Sequence, residues 1–131
     1  MSEKVTDRME WITYKGVRMI FADDRGLEGE PLLQHIKECE KALVEIGQRE
    51  GESSILLVTD VTDAVISGEV MNTLKQSSLV LKPYIKASAG VGIKGVRKYL
   101  LNVLSTFSGV DTKAFDTMEE AMEWLAEQAS T

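Results

Sequence analysis

The chain has 131 residues, 44% of them hydrophobic, with a formal net charge of -6 and a pI near 4.8. That length suits one domain able to bury a real core, and the acidic balance argues against general nucleic-acid binding. A single cysteine, Cys39, excludes an intramolecular disulfide and fits a reducing compartment. No apolar run approaches the ~20 residues of a membrane span. The polar start, Met1 to Arg8, lacks the apolar stretch of a signal peptide, so a cytoplasmic location is expected.

Residues 1–9 read as a flexible N-terminal arm and 10–131 as a single domain. Trp11, Thr13 and Lys15 alternate with Ile12 and Tyr14, which predicts a strand. Lys15-Gly16 fits a two-residue turn, and Val17 to Ala22 a second strand ending at Asp23-Asp24. Pro31 suits the first turn of a helix. Leu32, Ile36, Cys39, Leu43 and Ile46 follow on one helical face, with Gly47 or Gly51 as the stop and Lys37, Glu38, Lys41 and Glu45 on the solvated side. The run from Ser54 to Thr59 is a continuous apolar strand of the parallel-sheet kind, ending at Asp60.

Ser67 is a suitable N-cap for a second helix with Val70, Leu74 and Leu81 inward, and Pro83 stops it. Tyr84 to Val91 predicts another strand. Gly92 to Gly95 turns the chain into a third helix with Val96, Leu100, Val103 and Phe107 inward, ended by Gly109. Lys113 to Phe115 is a short last strand. Thr117 and Glu120 form a capping-box pattern for a final helix with Met118, Ala121, Met122 and Leu125 inward. The order β-β-α-β-α-β-α-β-α predicts an α/β fold: a mixed, mostly parallel five-stranded sheet with an N-terminal antiparallel hairpin. Ligands of such sheets sit beyond the carboxyl ends of the strands.

Charge is segregated along the chain. From Val70 to Val110 there is no acid and there are six bases, Lys75, Lys82, Lys86, Lys94, Arg97 and Lys98, which leaves -12 on the remainder. Lys94, Arg97 and Lys98 cluster where the third helix is expected to begin, close to the run Gly90-Val91-Gly92-Ile93-Lys94-Gly95. That run has the G-x-G-x-x-G spacing of a pyrophosphate turn, but too little chain follows for a dinucleotide fold. Small residues that let a strand pass tightly into a packed helix account for it as well. The basic cluster and a helix end together supply a few kcal/mol, on the order of millimolar affinity for an anion.

Asp23, Asp24 and Asp60 resemble the Mg²⁺ acids of response-regulator receivers, although only one helix separates their strands. Solvated strand ends are the plainer account. His35, the only histidine, flanks the apolar stripe as a boundary residue. Cys39 lies on the buried face as packing. No serine elbow is present. No metal, cofactor or catalytic residue is expected from these patterns.

The segments Trp11 to Gly16, Ala22 to Leu27, Leu56 to Thr62, Lys82 to Lys86, Val91 to Gly95 and Phe115 to Leu125 occur in an order that resembles the SpoIIAA-like proteins of the STAS and CRAL-TRIO-related group. The resemblance spans about residues 10 to 127. It implies a mixed sheet with helices and usually no enzymatic activity. Among the relatives, anti-sigma-factor antagonists carry a phosphorylatable serine in an Asp-Ser-Ser-Gly run at a helix start. Here Val65-Ile66-Ser67-Gly68 stands at similar spacing, so Ser67 is a candidate phosphosite, although Ile66 replaces the acid and one serine is missing. CRAL-TRIO domains bind lipids in an apolar cavity.

The expected function is a non-enzymatic regulatory or binding module. Ser67, Gly92, Lys94, Gly95, Arg97 and Lys98 would meet an acidic protein partner or a small anionic ligand. The alternative is a carrier of lipid or another hydrophobic ligand; a nucleotide-binding enzyme is the remote one. Acidic and basic segments of two copies could pair, so a homodimer is compatible with the sequence.

Overall fold

A computed structural model describes residues 3–94, 109–110 and 112–131. Among them six strands form one sheet in chain order: β1 (Glu3–Thr6), β2 (Met9–Tyr14), β3 (Val17–Asp23), β4 (Ile55–Asp60), β5 (Ile85–Val91) and β6 (Thr112–Phe115). The described helices are α1 (Gly29–Glu50), α2 (Gly68–Leu81) and α3 (Met118–Gln128). The third helix expected from Val96, Leu100, Val103 and Phe107 lies outside the described residues.

Two expectations change. The segment read as a flexible arm contributes β1, which pairs antiparallel with β2, and Met9 opens β2 with no exposure. An edge strand needs one buried face and one hydrogen-bonded neighbour. Val5 alone, packed on the core, supplies the apolar side, too little to register as a pattern. The sheet therefore has six strands, not five. It is antiparallel through β1, β2 and β3 and parallel from β3 to β6, so it is mixed rather than mostly parallel.

The hairpin closes as its residues dictate. Lys15 and Gly16 both have positive φ, 50° and 80°, which makes a two-residue turn whose twist matches the flanking strands. Alternation then divides β2 and β3 between two faces. Met9, Ile20 and Ala22 join Leu43, Ile46 and Ile55 in a core under α1. Met19 joins Leu56, Val58, Ala121 and Leu125 in a core under α3. A third cluster, Leu32, Leu33, Ile36 and Val70, joins α1 to α2.

The helix ends follow local chemistry. The Ser67 hydroxyl accepts a bond from Val70 N at 3.2 Å, and the Thr117 hydroxyl accepts one from Glu120 N at 3.2 Å. α1 runs on to Gly51, whose N–H closes onto the Gly47 carbonyl at 2.8 Å. No helix among the described residues is long and apolar enough to cross a membrane.

Candidate functional site

The parallel strands end together, and their loops are laced by backbone bonds. Asp24 N–H donates to Asp60 O at 2.9 Å, Gly26 N–H to Thr62 O at 3.0 Å, and Val61 N–H to Val91 O at 2.9 Å. Gly92 is forced by this lacing. It sits at φ 82°, and a side chain there would run into the Thr62 side chain and lie 2.9 Å from the Thr62 backbone nitrogen. Close packing thus explains the second glycine of the G-x-G run; Gly95 lies outside the described residues.

The acids at this edge each have their own partner. Asp23 accepts from Arg25 Nε at 2.9 Å and Nη2 at 3.0 Å, and these bonds hold its carboxyl below the ordinary value. Asp60 accepts from Thr62 N at 3.0 Å and Thr62 Oγ1 at 2.6 Å. Asp24 turns inward and bonds His35 Nε2 through Oδ1 at 2.7 Å. Among the described residues no group of three or more His, Cys, Asp or Glu side chains could hold a metal ion.

His35 is thus not a boundary residue. It is 6% exposed on the sheet side of α1, because Asp24 follows β3 directly beneath it. Spacing alone could have hinted at this, since His35, Cys39 and Leu43 repeat every four residues. Cys39 Sγ stands 3.7 Å from His35 Nδ1 and 3.6 Å from Nε2. Carboxylate, imidazole and thiol in this order resemble a cysteine nucleophile relay. The thiol is not activated, however. Burial, with the charges of Asp24 and Glu38, pushes it up to about 12. It also lies almost equally far from both ring nitrogens instead of in line with one. Cys39 is packing, as expected.

These groups line a recess of about 180 Å³ between the sheet and the α1–α2 pair. Its floor includes Ala22, Thr59, Ser88 and Gly90; its helical walls include Ile36 and Leu74. The space has a local cause. In β5 the residues Ser88 and Gly90, which alternate with the α3-facing Ala87, Ala89 and Val91, are too small to fill the layer beneath the helices. Glu40 on α1 accepts from Ser77 Oγ on α2 at 2.7 Å and ties the two walls together. The sequence pointed to Gly92 and Gly95 as part of a ligand or partner site; the informative signal for the recess was the small-residue run Ala87 to Gly90 on a central strand.

Ser67 is exposed and occupied with capping α2, Lys94 is exposed after β5, and Arg97 and Lys98 lie outside the described residues.

No protein-family model and no curated protein matches the chain. Its fold is similar to that of a solved structure, an uncharacterized protein of the DUF3478 family with a SpoIIAA-like fold from Shewanella loihica PV-4, determined at 2.25 Å. The likeness has a TM-score of 0.70 and covers 89% of this chain and 91% of the other, at 15% identity. The protein therefore has a SpoIIAA-like α/β fold. The likeness supports that part of the resemblance and carries no relation to CRAL-TRIO domains.

Proposed function

We propose that this protein is a non-catalytic binding module on a SpoIIAA-like scaffold, and that its ligand is a small, largely apolar molecule held between the sheet and α1–α2. The recess of about 180 Å³ carries the reading. Protein interiors are close-packed and leave few voids larger than a water molecule. An apolar cavity of about 150 Å³ is enough to take up benzene, so the recess suits a ligand of fragment size. A non-catalytic role is supported by the state of its most reactive groups: His35 is bonded to Asp24, and the Cys39 thiol is held protonated.

Methyl NMR with 1-hexanol tests the proposal. Shifts that saturate, and that are confined to Ile36, Val70, Leu74 and Ala22, are expected. Leu74→Trp, which fills the recess, should remove them while the rest of the spectrum keeps its dispersion. Uniform small shifts over the whole surface, or none, would refute a ligand site here.

A further inference from the structure

Resting on that reading, we propose that the recess selects an apolar primary amine, bound as the ammonium ion. Its described lining contains two carboxylates, Asp24 and Glu40, and no lysine or arginine. Asp24 is 8% exposed, and only Oδ1 is engaged, by His35. Glu40 likewise uses Oε1 for Ser77, at 2.7 Å. Neither remaining carboxylate oxygen has a hydrogen-bond partner among the described residues, and no buried side-chain oxygen or nitrogen among them is left without one. Asp24 Oδ2 and Glu40 Oε2 thus have no described partner beside a mostly apolar lining.

Such atoms accept hydrogen bonds and donate none while ionised. Apolar walls lower the local dielectric and strengthen their field. An ammonium offers three donors and a compensating charge; a hydroxyl offers one donor and no charge; a carboxylate would meet two like charges, and the one described basic side chain in the lining, His35, is already bonded to Asp24. The basic stretch from Val70 to Val110 does not alter this for the described lining, because Lys75, Lys82, Lys86 and Lys94 are absent from it.

The test is an NMR titration at pH 7.5 with three chains of similar size: hexylamine, 1-hexanol and hexanoate. Dissociation constants are read at the Ile36 and Leu74 methyls, so that ion pairing on the acidic surface is not counted. Hexylamine is expected to bind about tenfold or more tightly than hexanoate, with 1-hexanol between them. Glu40→Gln should narrow the gap between hexylamine and 1-hexanol, because the amide oxygen can still accept from Ser77 while one of the two charges is gone. Asp24→Asn should act in the same direction, and Glu40→Gln carries the comparison if Asp24→Asn does not fold. Equal binding of all three, tighter hexanoate, or a preference unchanged in Glu40→Gln would overturn amine selection and leave the apolar site standing. No saturable shift with any of the three would overturn both.

Discussion

Gly47 lies buried inside α1, where alanine would ordinarily stabilise the helix by about 1 kcal/mol. At this site the sign reverses. A Cβ would overlap the Tyr84 side chain at its Cγ, Cδ1 and Cβ atoms. Those atoms are the root of the side chain, so the ring cannot swing clear without moving the backbone at the start of β5. Overpacking of this kind costs about 1–3 kcal/mol. Gly47→Ala should therefore destabilise the protein in urea unfolding, and Tyr84→Ala should reduce the additional loss in the double variant. A stabilised Gly47→Ala would show that the α1–Tyr84 contact is loose.

At the scale of the element, α2 has two claims on Ser67. It is exposed, as a phosphosite must be, and its hydroxyl caps the helix through Val70 N. The cap makes a quantitative statement. Ser67→Ala should cost about 1 kcal/mol of stability in urea unfolding, and Ser67→Asp should stay close to wild type, since aspartate caps equally well and favours the positive helix end. If Ser67→Ala is neutral, capping does not account for this serine. The same chemistry repeats at α3, where Thr117 receives Glu120 N and donates to Glu120 Oε1 at 3.0 Å. Both caps were legible because a helix start needs a short polar acceptor at one defined position. The far end of α1 was legible only to within a turn, as two glycines could serve and packing against Tyr84 takes Gly47 into the helix.

At the scale of the molecule, acid exposes which charges tie distant parts together. Glu123 on α3 accepts from Lys15 at 2.7 Å and from Tyr14 at 2.8 Å, which pins the helix to the β2–β3 hairpin and holds the carboxyl below its ordinary 4.5. Asp23, bonded chiefly by Arg25 and with Arg8 nearby, is held below its ordinary 3.8. A depressed carboxylate contributes stability that is present above its unfolded value and is lost as pH falls through its folded value. Stability should therefore decline on acidification below about pH 4.5, and Glu123→Gln together with Asp23→Asn should flatten that decline. Both pairs are reached by solvent, Asp23 only in part, so the effect is small and weakens with salt. Urea midpoints between pH 7 and pH 3 measure it; an unchanged slope in the double variant would mean that other carboxylates carry the acid response.

Sequence by itself determined the elements whose causes are local. The Lys15-Gly16 turn, the apolar β4 run, the inward stripe of α1 and the capped starts of α2 and α3 each depend on residues within a few positions of one another. Element order implied a mixed α/β sheet; the SpoIIAA-like fold was reached through the resemblance carried by segments such as Trp11 to Gly16 and Ala22 to Leu27. Only the tertiary structure decided the rest. β1 exists because β2 supplies its hydrogen bonds. His35 is buried because Asp24, eleven positions earlier, arrives beneath it. The recess exists because Ser88 and Gly90 come to lie under Ile36 and Leu74. A void is a property of what several distant segments fail to fill, and no single stretch of chain records it.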